Sequence, residues 1–188
     1  MGVPRTTAEL LADYQAADAI EAADLAMIRD LTAAPGDPWS RSMPLHLTAS
    51  ALIVQPRTAR VLLRWHERLA SWLQIGGHGD PGETDPVDVV LREGQEESGL
   101  RDLRPWPGAE LRHVVVVSVP ASDREPAHHH ADLRFVLATE TPDAAHPERP
   151  TAPLRWLTMP EAHDLVVEDN LRETLSRVER LFVRADVI

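Results

Sequence analysis

The order of patterns along this chain predicts a mixed α/β sandwich, in which helices pack on a curved sheet. Helically spaced apolar residues come first, followed by short runs rich in Val, Ile and Leu, a helix, further such runs and closing helices. The chain has 188 residues, and 43% of them are hydrophobic, which is enough for one packed core. At roughly 150 residues per domain, we expect a helical extension over residues 1–38 and one domain over residues 39–188.

The extension is predicted to be helical from about Thr6 to Ala34. Thr6 and Glu9 have the spacing of a capping box, and Pro35–Pro38 ends the helical pattern. Because this Ala-rich run is long, it forms either one helix or two. We expect it to pack within the chain in preference to forming a dimer contact, although a homodimer stays open.

Six short runs rich in β-branched and other apolar residues predict strands. They are Ser50–Val54, Arg60–His66, Trp72–Ile75, Leu111–Val119, Leu133–Thr139 and Leu154–Leu157. The four valines of Val114–Val117 are typical of a strand that is buried on both faces.

Three further helices are predicted over Pro86–Ser98, Pro160–Leu165 and Asp169–Arg184. The first has clear boundaries, because Asp85 suits the N-cap, Pro86 the first helical position and Gly99 the C-terminal cap.

The composition excludes several classes of function. The chain contains no Cys, which removes disulfides, cysteine-ligated metals and a cysteine nucleophile, and no Lys, which removes a Walker A loop. Its net charge of −11 disfavours nucleic acid and anionic membranes as partners. No apolar run approaches the ~18 residues of a membrane span, and the N-terminus lacks a signal-peptide pattern. We therefore expect a cytoplasmic protein.

Negative charge is densest in residues 80–97, which hold seven acidic residues and one Arg. At roughly 100° per residue, Glu93, Glu96 and Glu97 fall within about 100° of one another on the predicted helix. Carboxylates crowded in this way repel and destabilise a helix unless they hold a cation. Oxygen ligands suit a hard divalent ion, so we expect Mg²⁺ or Mn²⁺, with Arg92 tethering a carboxylate nearby.

These residues form a recognisable motif. Gly77 is followed after five residues by Glu83, and the run Arg92–Leu100 reads REGQEESGL. This resembles the Nudix box of the Nudix hydrolases, and the resemblance implies a Nudix-type α/β/α sandwich with a mixed curved sheet. Further matches, at residues 46–51, 72–78 and 128–135, look like a largely actinobacterial branch of that family.

Two positions depart from the family pattern. Glu83 is separated from Arg92 by eight residues, where the family has seven, so the role of Glu83 is open. Gly94 stands where the family has a bulky aliphatic residue, which leaves either a gap or a close backbone approach.

The resemblance implies a divalent-metal-dependent hydrolase of a nucleoside diphosphate linked to another moiety, with water attacking at phosphorus. The metal would be held by Glu93, Glu96, Glu97 and the carbonyl of Gly77. The family uses a carboxylate base, and Glu148 is the best candidate outside the motif. Glu140 stands behind it, and Glu96 or Glu97 could serve instead.

The resemblance allows two other interpretations. One is a catalytically inactive Nudix-fold module that binds and senses a nucleotide, which the intact acidic cluster disfavours. The other is the isomerase branch, which resembles a cysteine-dependent chemistry that this chain cannot perform.

Several residues outside the motif are candidates for contact with a small, nucleotide-type substrate. Strand alternation puts His128, His130 and Asp132 on one face and His129 on the other, so the first three could contact substrate or a second metal, or form an inert polar cluster. Arg64, Arg68 and His78 lie in a net-positive segment and could hold phosphates, or be ordinary surface residues.

Overall fold

A computed structural model describes residues 6–122 and 125–185 of the chain. Five helices and eight strands lie in these two ranges. The helices are α1 Thr7–Asp13, α2 Ala19–Ala33, α3 Pro86–Ser98, α4 Met159–Leu165 and α5 Asp169–Arg184. The strands are β1 Leu45–Gln55, β2 Arg60–His66, β3 Ser71–Leu73, β4 Ile75–Gly77, β5 Arg104–Pro105, β6 His113–Val119, β7 His128–Ala138 and β8 Leu154–Thr158.

The centre of the sheet is the parallel pair β1 and β7, which run in register from Leu45 beside His129 to Val54 beside Ala138. The other side of β1 carries β4 and then β2, both antiparallel, and β2 in turn pairs with β3 and β8. The other side of β7 carries β6 and β5. The sheet is therefore mixed, as predicted.

Two hydrophobic clusters lie on opposite faces of this sheet, because successive residues of a strand point to opposite faces. Ala51 and Ile53 of β1 face a cluster shared with α1, α2 and α3, whereas Leu52 and Val54 face one shared with α4 and α5. Helices thus cover both faces, and the predicted α/β/α sandwich is confirmed.

The N-terminal extension forms two helices, and Thr6 and Glu9 make the predicted capping box at the start of α1. Asp18 caps α2 through a hydrogen bond from the backbone N–H of Glu21. Leu10 and Ile28 are buried in the same cluster as the central strands, so the extension packs within the chain. The division at residue 38 stays a prediction.

Some strand boundaries differ from the predictions. Both β1 and β7 begin five residues earlier than expected, because polar residues, among them His46 in β1 and His128–His130 and Asp132 in β7, interrupt the apolar run there. The predicted run Trp72–Ile75 is split at Gln74 into β3 and β4. The expectation that Val114–Val117 is buried throughout was wrong for its second half, where β6 runs along the sheet edge and the side chains are half-buried.

The described helices include none that is both long and apolar enough to cross a membrane.

Candidate active site

A cavity of about 520 Å³ opens between α3, the centre of the sheet and the start of α5. Its lining contains most of the residues that the sequence singled out. Among them are Glu93, Glu97, Gly77, His78, His130 and Asp132. Residues far apart in sequence therefore meet at one place, because β1, β4 and β7 are neighbours in the sheet.

Helix α3 delivers the acidic side chains. Its start is fixed by Asp85, whose carboxylate accepts a hydrogen bond of 2.8 Å from the backbone N–H of Val87, and its end by Gly99 in the left-handed conformation. Glu93 and Glu97, one turn apart, enter the cavity with side chains only 15% and 12% exposed. Glu96 lies outside at the rim and is 56% exposed, so the three carboxylates are not equally enclosed.

The two enclosed carboxylates are poorly solvated. Burial raises the pKa of Glu97 to about 7, a rise that Arg64 opposes and the nearby charge of Glu93 reinforces. Burial likewise raises the pKa of Glu93, against the lowering effect of Arg92. Two adjacent carboxylates that are poorly solvated repel each other when both are ionised. A cation bound beside them would offset this repulsion, so the arrangement favours a metal site.

Gly77 makes room for this cluster. A Cβ atom at Gly77 would lie 2.7 Å from the carboxyl carbon of Glu93, so any side chain there would displace that carboxylate. Glycine therefore allows the Glu93 carboxylate to approach the backbone of β4. All the donors offered here are oxygen atoms, which fits Mg²⁺ or Mn²⁺.

Arg92 contacts three acidic residues of the motif and one backbone carbonyl beside it. Its Nε and Nη2 donate to the two carboxylate oxygens of Glu83 at 3.0 and 2.9 Å, in the fork geometry typical of strong arginine pairs. Its Nη1 donates to Glu93 at 3.0 Å and to Glu96 at 3.1 Å, and its Nη2 also donates to the carbonyl of His78 at 2.8 Å. Glu83 thus reaches Arg92 despite the extra residue between them.

Arg64 lies beside the carboxylates on the cavity wall. Its Nη1 is 3.2 Å from Glu97, its Nη2 is 4.0 Å from Glu148, and its side chain is only 12% exposed. The buried Nε of Arg64 has no hydrogen-bond partner within the described residues. Arg68 lies further out, where it is half-exposed and 4.0 Å from Glu125.

Four histidines converge at the other end of the cavity. Nε2 of His78 lies 3.1 Å from Nε2 of His46, and Nε2 of His128 lies 3.1 Å from Nε2 of His130. Burial is the main cause that lowers the pKa of His78 to about 3 and that of His130 to about 4. His129 points to the opposite face and is exposed, as strand alternation predicts.

Asp132 lies on the cavity floor, but its oxygens already accept several hydrogen bonds. Thr48 and Ser50 donate at 3.0 and 2.8 Å, and Nε of Arg134 donates at 2.8 Å. Burial raises the pKa of Asp132, yet the charge and hydrogen bond of Arg134 outweigh it and the net shift is downward. Asp132 is therefore placed to orient Arg134, which in turn donates to Asn170 at the start of α5.

Glu140 is a correction to the sequence analysis. It follows the end of β7 opposite to His128 and pairs with Arg104 at 2.7 Å and Arg57 at 3.6 Å. The parallel register of β1 and β7 explains this, since it places the turn after each strand at the same far edge.

The sequence analysis also missed residues that the structure places at the site. They are His46, Ser50, Gln74, Arg134 and Asn170. Gln74 gave one usable signal, since it is a polar residue that interrupts an apolar run. His46, Ser50 and Arg134 lie in segments that match the family pattern, but no role at the site could be assigned to them, because only the sheet pairing brings those segments together. Asn170 is an ordinary polar residue at the start of α5.

A family model and several solved structures match this chain. The family model described as the NUDIX domain matches residues 44–178. No curated protein matches the chain in sequence.

Solved structures share the fold at low sequence identity. A NUDIX-family hydrolase from Clostridium perfringens is 21% identical with a TM-score of 0.52, covering 72% of this chain and 97% of that one. An Ap4A hydrolase from C. elegans is 16% identical with a TM-score of 0.59, covering 73% and 98%. The dihydroneopterin triphosphate pyrophosphohydrolase of E. coli is 19% identical with a TM-score of 0.52, covering 76% and 97%. Because the family model spans most of the sequence, the chain belongs to the Nudix family, as its sequence motif predicted.

Proposed function

We propose that this Nudix protein is a divalent-metal-dependent hydrolase that cleaves the diphosphate of a nucleoside diphosphate linked to another moiety. The observation that carries the proposal is the pair of enclosed carboxylates, Glu93 and Glu97, beside Arg64 in a cavity of about 520 Å³. Two structural neighbours are named as an Ap4A hydrolase and a dihydroneopterin triphosphate pyrophosphohydrolase, which supports a nucleotide-like substrate. We propose a cytoplasmic setting, in keeping with a chain that has no cysteine.

Glu93, Glu96, Glu97 and the carbonyl of Gly77 are the groups that would hold Mg²⁺ or Mn²⁺. When bound, such an ion screens the phosphate charges, polarises a phosphoryl oxygen and lowers the pKa of a coordinated water. Arg92 keeps the carboxylates of Glu93 and Glu96 in place through its 3.0 and 3.1 Å hydrogen bonds.

The protein's own side chains supply the remaining chemistry. Arg64 and Arg68 both line the cavity, where their guanidinium groups can attract and bind phosphate oxygens. Glu148, outside the metal-binding set, lies 4.0 Å from Nη2 of the cavity-lining Arg64 and would take the proton from the attacking water.

The direct test measures phosphate release from a panel of nucleotides with Mg²⁺ or Mn²⁺. The panel contains ADP-ribose, nucleotide sugars, dinucleoside polyphosphates and oxidised nucleoside triphosphates. We expect the wild type to cleave at least one member and Glu97→Gln to lose more than about 100-fold in kcat, because several kcal/mol of transition-state stabilisation depend on that carboxylate. The matched control is Glu140→Gln, which makes the same change at the far edge of the sheet and should leave the rate unchanged. Tight binding without cleavage of any panel member would instead identify a nucleotide-sensing module.

The role of Glu148 has its own measurement. With Glu148→Gln, kcat should fall by about 10²-fold or more while KM changes little. A Glu148→Gln variant that keeps the wild-type kcat would assign the base to the Nudix motif instead.

A further inference from the structure

Three histidines from three different parts of the chain present their ring nitrogens to one point. His46 comes from β1, His78 directly follows β4, and His130 comes from β7. One ring nitrogen from each lies within 4.8 Å of those of the other two. His128 lies beside them, with its ring centroid 5.3 Å from that of His46 and 5.0 Å from that of His130.

Two of these rings are held in a definite orientation by backbone carbonyls. Nδ1 of His46 lies 2.9 Å from the carbonyl of Met43, and Nδ1 of His128 lies 2.9 Å from the carbonyl of Pro126. A carbonyl can only accept, so each Nδ1 carries a proton, and in the neutral ring Nε2 is then the nitrogen with a lone pair for a metal. Metal-binding histidines are commonly oriented in this way, with the second nitrogen hydrogen-bonded to a carbonyl or carboxylate. In both rings the free Nε2 faces the cluster.

The spacing of the nitrogens is close to that of a tetrahedral metal site. Zn²⁺ bound to imidazoles at about 2.0–2.1 Å places neighbouring nitrogens about 3.4 Å apart. The His46–His78 and His128–His130 pairs are at 3.1 Å, and the three nitrogens of the cluster need to close by about 1.4 Å at most. The charged side chains beside the histidines are of opposite sign, because Arg41 and Glu125 both line the adjoining side chamber.

We propose that His46, His78 and His130, together with His128, form a binding site for a Zn²⁺-class transition-metal ion, separate from the carboxylates of α3. Imidazole nitrogens suit zinc and its neighbours, whereas the oxygen donors of Glu93 and Glu97 suit Mg²⁺, so the two sites select different ions. His78 and His130 line the main cavity, so an ion held there would face the substrate chamber and could bind a phosphate oxygen. This site stands on the histidine geometry and does not depend on the proposed hydrolysis.

The experiment titrates Co²⁺ into chelator-treated full-length protein and follows the visible absorption of tetrahedral Co²⁺, with Zn²⁺ as the competitor. We expect one Co²⁺ per chain with a nitrogen-ligand spectrum, displaced by Zn²⁺. His46→Ala and His130→Ala should each weaken binding by more than about 100-fold, because even the loss of an outer partner of a ligand costs roughly 10–100-fold.

Two controls separate this site from its surroundings. His129→Ala removes the exposed histidine of the same strand and should keep the spectrum and the affinity. Glu93→Gln should also keep them, although it is expected to abolish Mg²⁺-dependent hydrolysis. Circular dichroism of each variant without metal establishes that the fold is retained, and His46→Gln replaces any alanine variant that fails this check.

Two outcomes would overturn the site. One is a wild type that binds no Co²⁺, which leaves the rings as a hydrogen-bonded cluster. The other is Co²⁺ binding that survives both His46→Ala and His130→Ala but is lost in Glu93→Gln, which assigns the ion to the carboxylates. Neither result depends on turnover, so each is distinguishable from a failure of the hydrolase proposal.

Discussion

At the scale of single residues, Glu83 and Arg92 show how an inserted residue is absorbed. The insertion falls in Glu83–Asp85, before α3 begins at Pro86. The helix itself keeps its phase, so Arg92 still reaches both oxygens of Glu83. That pair lowers the pKa of Glu83 through the Arg92 hydrogen bonds, and it fixes the guanidinium that orients Glu93.

Removing the charge of Glu83 should weaken this orientation without unfolding the domain. We expect Glu83→Gln to lower kcat by about 10-fold or more, since partners of metal ligands commonly contribute 10–100-fold. The control is Asp80→Asn, because Asp80 is 67% exposed and lies 3.6 Å from Arg92, where an ion pair contributes little. Equal losses of kcat in the two variants would show that Glu83 has no special role.

The residues of the motif could be identified from the sequence alone, whereas the residues that the sheet pairing brings to the site could not. Gly77, Arg92, Glu93 and Glu97 were predictable because a helix and its preceding loop fix their spacing locally. His46 was missed as a site residue because its position depends on parallel pairing with a strand more than eighty residues away. No local pattern encodes that register.

At the scale of elements, the packing of α3 on the sheet resolves the question raised by Gly94. A Cβ atom there would lie 2.8 Å from Cδ1 of Leu103 and 3.2 Å from Cδ1 of Leu137. The glycine therefore permits a close approach of helix and sheet, and no gap is left beside it.

Restoring a large aliphatic residue at this position should destabilise the protein. Leucine gains about 1 kcal/mol of helix propensity over glycine, but overpacking a filled core typically costs about 1–3 kcal/mol and the whole side chain must be accommodated. We expect Gly94→Leu to lower the free energy of unfolding, measured by urea denaturation. Gln95→Leu, at the half-buried neighbouring position on α3, should change it by less than about 0.5 kcal/mol. A Gly94→Leu variant as stable as the wild type would mean that α3 can shift away from the sheet at no cost.

At the scale of the whole molecule, a buried ion pair joins the N-terminal extension to the last helix. Glu21 of α2 is only 2% exposed and accepts hydrogen bonds of 2.8 and 2.9 Å from Nη1 and Nη2 of Arg177 on α5. Tyr14 and the backbone N–H of Ala17 also donate to it. Burial raises the pKa of Glu21, but these hydrogen bonds outweigh it and bring the pKa down to about 2.

This pair predicts a pH-dependent stability. The folded-state pKa of Glu21 lies below its ordinary value of 4.5, so the pair stabilises the fold above that pH and loses its contribution as the pH falls toward 2. The stability of Glu21→Gln should lie below that of the wild type at pH 7 by about 3 kcal/mol, and the two should converge only as the pH falls to about 2 and below, where Glu21 is protonated in both the folded and the unfolded state. Urea denaturation at a series of pH values measures this difference.

Glu173→Gln, which removes the 41% exposed partner of Arg177, is the control and should show a small, nearly constant difference. Parallel curves for Glu21→Gln and the wild type would contradict the assignment.

The same carboxylate, together with Asp24, has a consequence for the outer edge of the sheet. The backbone N–H of Val114 donates to Glu21 at 3.3 Å and that of Val116 donates to Asp24 at 3.0 Å, so side chains of α2 occupy donors that β6 turns away from β7. An open edge strand is a template for strand addition and aggregation. The N-terminal extension therefore insulates the sheet along this edge, and a second copy of the chain cannot continue the sheet there without first displacing α2.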